Sequence, residues 1–455
     1  MPKGAQHSPK KERLAARAAL EAAARAVSIA PEYDVCVVGA GASGLMAALA
    51  AAARGARVCV LEHHLVAGKP ILATGNGRCN LVNLDLAASA YNEPSFVAGV
   101  FEAALAAAAA GNLQVAPGKR VSTSAPHLLV GANAGALVTP VAALVLNAFE
   151  ALGLASRAHG TMVFPVSGAA ASVQTVLIEA AREAGILLAT GATALALEED
   201  ASSVRVTYQR LYESAPQTLT ARHVIVATGR ANAALLEPLG VASAPAEPIL
   251  CPLACAMGAF AKLSGVRTTA TVTLKNKAGA TLFQETGEVL FREYGVSGIV
   301  CMNASRAAAG ATTVELNLLP GLDVPALLTA LAGHTPSPAL LAGVLEPSLA
   351  AALYTHAKSQ LAPNANREQL IEACIHTAQH LCLPLTGLHD VAHAQVLRGG
   401  VETCEINPQT LTLTARPRVG VTGEALNVDG PCGGFNLGFA WISGLVAGAA
   451  ATHEN

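Results

Sequence analysis

The sequence predicts an α/β fold that carries an inserted antiparallel β module and a small helical module. Three observations support this. A strand–glycine–helix–strand unit opens after residue 32, and strand–turn–glycine–helix grammar returns after residue 393. Between them the chain becomes Thr/Val-rich and alternating, then Leu/Ala/His-rich with proline breaks.

Taken in order, residues 1–31 carry Lys3, Lys10, Lys11, Glu12, Arg13, Arg17, Glu21 and Arg25 among alanines. With no apolar stretch of the secretion-signal kind, they are expected to form a flexible charged extension, a frayed helix outside the fold. Asp34–Val38 is short and apolar on both faces, as a buried parallel strand should be. Gly39-Ala-Gly-Ala-Ser-Gly44, the alanine-rich helix Leu45–Arg54, the closing Gly55 and the strand Arg57–Leu61 ending in Glu62 complete a βαβ unit. Ile186–Ala189, Thr193–Glu198 and Val204–Tyr208 read as further strands, and His223–Ala227 as another that ends in Thr228-Gly229. The expected division is a discontinuous Rossmann-like domain over 32–235 and 393–455, a β module over 236–319 and a helical module over 320–392.

Composition narrows the function. Of the 455 residues 52% are apolar and 13% charged, and 29 Lys+Arg against 31 Asp+Glu leave a net charge of −2. No basic stripe can displace counterions from a polyanion, so no nucleic-acid partner is expected. A mean hydropathy of +0.44 raises the question of a membrane. The charge-free stretches Val35–Ala53, Leu128–Phe149 and Phe435–Thr452 are each interrupted by Gly, Asn or Pro and lack flanking cationic or aromatic belts. No integral membrane segment is expected. Ten cysteines without a C-x-x-C pair suit a reducing, cytoplasmic setting. His376, His380, His389 and His393 have no neighbouring acid at metal-ligand spacing, so no metal is expected.

The chemistry begins at Gly39-x-Gly41-x-x-Gly44, which follows a strand and opens a helix. Gly39 permits the tight turn, Gly41 lets backbone approach a pyrophosphate, and Gly44 lets the helix pack on the sheet. With Ala42 and Ser43 between them, their N–H groups face the phosphates at a helix N-terminus. Glu62 stands 18 residues beyond Gly44, where a carboxylate can accept ribose hydroxyls and repel a 2′-phosphate.

Two further signals favour FAD over NAD. Ala73-Thr-Gly-Asn-Gly-Arg-Cys-Asn80 is a polar loop whose backbone, from Gly75 through Cys79, could run beside a flavin. Arg78 would then lie near phosphate and Asn80 at a ring edge. Gly423-Glu424 ends a strand, where a carboxylate can hold a ribityl hydroxyl. Beyond Asp429, Gly433-Gly434-Phe435-Asn436 starts a helix whose N-terminus would favour negative charge on the N1–C2=O2 edge of the reduced ring. Ala194, Thr228 and Gly229 complete the expected cofactor set. The catalytic group stays open. Tyr294 is a proton-donor candidate with simple packing as the alternative, and Cys432 either pairs with Cys79 in redox chemistry or only packs. Arg230 is either a solvated loop charge or an anion contact.

At these residues the chain resembles the BaiN/RdsA-type (YhiN-like) FAD-dependent oxidoreductases. The matching runs are Gly39–Gly44, Gly68–Asn83, Val163–Val173, Gly287–Ser297 and Gly423–Gly448. The resemblance implies an FAD-binding domain interrupted by a β module and a helical bundle. It also implies hydride transfer through the flavin on a small organic substrate. With no second G-x-G-x-x-G, NADH or NADPH would dock only transiently as electron donor. Amine oxidation is also associated with such proteins, so an oxidase and a non-catalytic FAD-binding protein remain as alternatives, while the charge balance opposes an RNA-modifying enzyme. This chain departs from the pattern at Arg230, where relatives carry a second glycine and a long loop. It departs again at Arg292-Glu293, in place of Thr-His, and at Ile299, in place of proline. Those segments are expected to line the substrate side.

Overall fold

The computed structural model describes residues 9–131, 137–229, 233–394 and 396–452. The chain divides into two compact units, one of Met1–Ala246 with Arg398–Asn455 and one of Glu247–Leu397.

The first unit contains, in chain order, α1 (Pro9–Ala26), β1 (Glu32–Val38), α2 (Ala42–Ala53), β2 (Val58–Glu62), α3 (Ala170–Glu183), β3 (Leu187–Thr190), β4 (Ala192–Glu199), β5 (Val204–Arg210), β6 (Gln217–Val226), β7 (Arg416–Val421) and α4 (Phe435–Ala450). The main sheet runs β4-β5-β6-β1-β2-β3, and β7 pairs with the C-terminal half of β6. Strand β1 is parallel to both β6 and β2, β2 to β3, and β6 to β7. Their C-terminal ends therefore share one edge. Strands β4, β5 and the first half of β6 form an antiparallel meander. Val35–Val38, Val58–Leu61 and Val224–Val226 are buried throughout, as a sheet covered on both faces requires.

The alanine and glycine excess has a packing explanation. Helix α2 is buried from Ser43 to Ala52 and lies against α4. A Cβ added to Gly444 would stand 2.4 Å from the Ser43 carbonyl oxygen, and one on Gly448 would stand 2.2 Å from that of Ala47. The two helices thus meet backbone to backbone. At the same level the buried Trp441 donates its indole N–H to the Leu81 carbonyl at 3.0 Å and meets Phe149 edge-on at 5.0 Å.

Helix α1 departs from the expected detached extension. Glu12–Leu20 are exposed, but Ala24 is buried and its carbonyl accepts from the Arg210 guanidinium. The Arg25 guanidinium lies 4.1 Å from the Tyr212 ring centre, and Val27, Ile29 and Ala30 pack on the core. The apolar end of the segment is what docks, while Glu12–Leu20 are exposed.

The second unit is a closed barrel of six strands, Leu253–Cys255, Gly295–Ser297, Thr281–Arg292, Arg267–Asn276, Ala311–Asn317 and Leu381–Leu388, the last pairing back to the first. Val272, Leu274, Val289, Phe291, Val314 and Leu316 fill it. The region expected to be wholly helical, 320–392, does hold Val324–Leu331, Pro347–Gln360 and Arg367–Gln379. Its final run, Leu381-Cys-Leu-Pro, instead alternates buried and exposed with period two and becomes the closing strand. The helices therefore share the barrel's core, with Leu349, Leu353, Ile371 and Ile375 inside it. Among the described residues, no helix is long and apolar enough to cross a membrane.

Two stability outcomes follow from this packing. Gly448→Val should lower the unfolding free energy by about 1–3 kcal/mol or more through overpacking, read as a fall in melting temperature. Deleting residues 1–20 should leave the melting temperature unchanged, whereas deletion through Ala30 should lower it, because among the described residues only the second removes buried contacts.

Candidate functional site

The shared edge of β1, β2, β6 and β7 gathers the residues of interest. Where β1 ends, Gly39 adopts φ +103°, and a Cβ there would lie 2.5 Å from the Ala227 carbonyl oxygen at the end of β6. A Cβ on Gly44 would lie 2.0 Å from the Gly39 carbonyl oxygen. Both positions are closed by backbone. Gly41 is the opposite case. A Cβ there would meet nothing within 4 Å, and no side chain caps the first turn of α2, which contains Ala42, Ser43 and Gly44. Uncapped N–H groups at the positive end of a helix thus border open space, the geometry that receives phosphate.

Glu62, at the end of β2, is buried. One carboxylate oxygen accepts the Ala40 N–H at 2.7 Å, and the other accepts the His64 N–H at 2.7 Å with the His63 Nδ1 at 3.1 Å. It therefore ties the glycine turn to β2, a structural task beyond the one expected of it. Each oxygen keeps acceptor capacity for a hydroxyl.

At the end of β6, Thr228 leads into Gly229, where a Cβ would stand 3.9 Å from Oε2 of Glu424. Glu424 follows Thr422 and Gly423 at the end of β7, where the Gly423 N–H is held by the Ser443 hydroxyl at 3.1 Å. Among the described residues, three buried side-chain oxygens lack a hydrogen-bond partner: Thr228 Oγ1, Thr422 Oγ1 and Asn80 Oδ1. Buried polar atoms are nearly always satisfied, so these three are candidates to face a polar ligand.

The loop expected beside a flavin is a 3₁₀ segment, Lys69–Gly77, broken at Thr74–Asn76, with Gly75 and Asn76 left-handed. Arg78 is exposed and its guanidinium lies 4.4 Å from the Phe164 ring centre, so that ring is its observed partner. Cys79 is buried, and burial pushes its thiol up to about 11. A group held so far from thiolate is a poor redox nucleophile. Cys432 is half-buried in the 430–433 loop.

Gly434 adopts φ +99° and caps α4. A Cβ there would lie 2.5 Å from the Val82 carbonyl carbon and 2.8 Å from Asn80 Oδ1. The helix entry is therefore pressed onto the 80–83 backbone. Asn83, which sequence reasoning did not single out, fastens the same junction by donating to the Gly433 carbonyl at 2.9 Å. Phe435 meets the Tyr91 ring edge-on at 6.2 Å, and the Tyr91 hydroxyl donates to the Phe435 carbonyl at 2.7 Å. Asn436 clamps Gly430, accepting its N–H at 2.8 Å and donating to its carbonyl at 2.9 Å. Asp429, placed with the cofactor set from sequence, is 1% exposed and holds Arg398 through two hydrogen bonds of 2.7 and 3.1 Å. Asn436 and Asp429 thus build the loop. Arg398 and Tyr91 were missed because their partners lie far off in sequence and neither belongs to a motif.

Ala194 lies on β4 at a β-bulge and is part-buried. Tyr294 belongs to the second unit, where its ring stacks on His389 with centroids 3.5 Å apart and 8° between planes. Arg292 and Glu293, in the same unit, are exposed. Arg230 falls outside the described residues.

A glycine turn between a central parallel strand and a helix, with carboxylates at the ends of flanking strands, defines a Rossmann-type dinucleotide-binding protein. The chain matches the family described as HI0933-like protein Rossmann domain over residues 33–106 and 143–450. It is 31% identical to the 3-dehydro-bile acid delta(4,6)-reductase of Clostridium scindens, over 92% of this chain and 98% of that protein. It is 23% identical to the ribosomal RNA dihydrouridine synthase of Escherichia coli, over 90% of this chain and 96% of that one. Among solved structures it resembles the 3-ketosteroid-delta4-(5alpha)-dehydrogenase of Rhodococcus jostii, with a TM-score of 0.45 and 16% identity over 95% of this chain and 99% of that one. The chain belongs to the family of HI0933-like proteins with a Rossmann domain.

Two outcomes test this local geometry. Gly434→Val should fail to accumulate as folded protein, because the new side chain collides with the Val82–Asn83 backbone. Cys79 should resist iodoacetamide under native conditions at pH 8 by mass spectrometry, since only about a thousandth of such a thiol is ionised there.

Proposed function

We propose that this chain is a reductase that saturates a carbon–carbon double bond conjugated to a carbonyl in a small organic molecule, with NADH or NADPH as a transient electron donor. The observation that carries the reading is the open space over Gly41. It lies at the uncapped start of α2, among strand ends that bear Glu62, Glu424 and orphaned polar atoms.

The residues present fit FAD. The N–H groups from Gly41 to Gly44 would take the pyrophosphate, each charge-assisted hydrogen bond contributing about 1.5–3 kcal/mol. Glu62 would use its remaining lone pairs for the adenosine ribose, and its charge would exclude a 2′-phosphate. Glu424 would hold a ribityl hydroxyl, and Asn80 Oδ1 would accept a ring N–H. The N-terminus of α4, behind Gly433 and Gly434, would favour negative charge at the near ring edge. Bound FAD supplies hydride transfer through its flavin N5. The protein's part is to bind, orient and bias that charge.

The C. scindens relative, named as a delta(4,6)-reductase of a 3-dehydro-bile acid, supports the conjugated-carbonyl class. The E. coli relative, named for dihydrouridine, supports a second reading in which the same bond type is reduced in RNA. The two share chemistry, since uracil C5=C6 is conjugated to C4=O. A net charge of −2 favours the small molecule.

Anaerobic titration of the purified protein decides between the readings. Bleaching of the yellow flavin by NADH or NADPH, followed by reoxidation with a steroid-like dienone, is the expected result. Reoxidation by uridine-containing RNA alone would move the function to RNA, bleaching by amines alone would make it an oxidase, and bleaching by neither would make it a non-catalytic binder. Gly41→Val should keep the wild-type apoprotein melting temperature while flavin content falls about tenfold or more. Wild-type flavin content in that variant would overturn the placement of the pyrophosphate.

A further inference from the structure

We infer that the unit Glu247–Leu397 carries a binding site for a divalent d-block cation of the zinc class, with His376, His380 and Cys382 as its ligands. A cavity of about 420 Å³ opens where the helices Pro347–Gln360 and Arg367–Gln379 meet the strand Leu381–Leu388. Histidine supplies 13 of the 455 residues of the chain but three of the ten around this cavity: His356, His376 and His380. Cys382 joins them on the same wall. This gathers imidazole and thiol donors from two helices and a strand around one cavity, whose other lining residues carry no charge. That donor set selects zinc-like ions over magnesium or calcium.

His376 and His380 are four residues apart at the end of their helix, and their ring centres stand 5.0 Å apart. Behind His380 lies Glu315 of the strand Ala311–Asn317, with Oε1 3.6 Å from His380 Nδ1. Its other oxygen takes Lys275 Nζ at 2.6 Å and the Cys382 thiol at 3.6 Å. A carboxylate close to one ring nitrogen of a histidine is the arrangement that orients metal-bound histidines through the other nitrogen. Glu315 is remote in sequence, which is why no acid could be matched to these histidines from spacing.

The ligand atoms do not yet lie within one coordination sphere. Among the described residues only Glu62, His63 and His64 have theirs mutually within 4.8 Å, and the oxygens of Glu62 already serve two backbone N–H groups. His376, His380 and Cys382 are exposed, and the site requires each to turn inward by a change of rotamer. Binding would release the Cys382 thiol proton to solvent, leave the fourth position to water and join a helix to the barrel strand beside it.

The test is to titrate chelator-treated full-length protein with Co²⁺. Tetrahedral d–d bands, a sulfur-to-cobalt charge-transfer band, displacement by stoichiometric Zn²⁺ and a raised melting temperature are expected. Cys382→Ser should remove the charge-transfer band, and His376→Ala with His380→Ala should remove the d–d bands. Glu315→Gln should weaken Zn²⁺ binding about 10–100-fold, as loss of an orienting partner does. His63→Ala with His64→Ala should leave the cobalt spectrum as it is in the wild type. No tetrahedral cobalt spectrum, a spectrum that survives loss of both His376 and His380, or one lost with His63 and His64 would overturn the proposal.

Discussion

Everything in the first unit depends on a backbone contact that leaves no room for a side chain. The turn after β1 lies against the end of β6, and the start of α2 lies against the turn, with glycine at both points of closest approach. The same close approach is repeated where α4 crosses α2 at Gly444 and Gly448. Once these backbones touch, the ends of β1, β2, β6 and β7 are brought to one edge, and the only unfilled position in the turn is Gly41. The cost is a core poor in large side chains. It is offset by the length of the parallel sheet and by a few bulky anchors such as Trp441 and Phe149.

Much of this frame was legible because it is local. The strand, glycine turn, helix and second strand ending in Glu62 lie within about thirty residues, a span over which periodicity and turn chemistry decide the structure. Gly434 was legible as a special position. Expected at a helix entry, it is also the point where that entry approaches the backbone of Val82 and Asn83. Glu62 likewise has the expected place but a second task, that of holding the Ala40 and His64 N–H groups.

What stayed hidden consists of pairs. Asn83 with Gly433, Tyr91 with Phe435 and Arg398 with Asp429 are joined across stretches that no local rule spans. Two of these bridge the first part of the discontinuous domain to the second, so they exist only once the insertion has been passed. The closing strand of the barrel was hidden for another reason. Leu381–Leu388 alternates correctly but follows directly on a helix, and its Leu- and His-rich surroundings carry the composition of a helical module. Helix α1 shows the same weakness of composition as a guide, since its charged start concealed an apolar end.

The discontinuity of the first unit also bears on how the chain is made. Residues 247–397 are contiguous, so the barrel and its helices can close as soon as they leave the ribosome. The earlier part of the first unit cannot. Strand β6 lacks β7, and the buried face of α2 lacks α4, until the last sixty or so residues emerge. At roughly 5–20 residues per second, synthesis of the insertion alone leaves that face uncovered for roughly 8–30 s. An Ala- and Gly-rich surface is well suited to such a wait. It presents little apolar area per residue to bind a stray partner, yet it packs closely once α4 arrives.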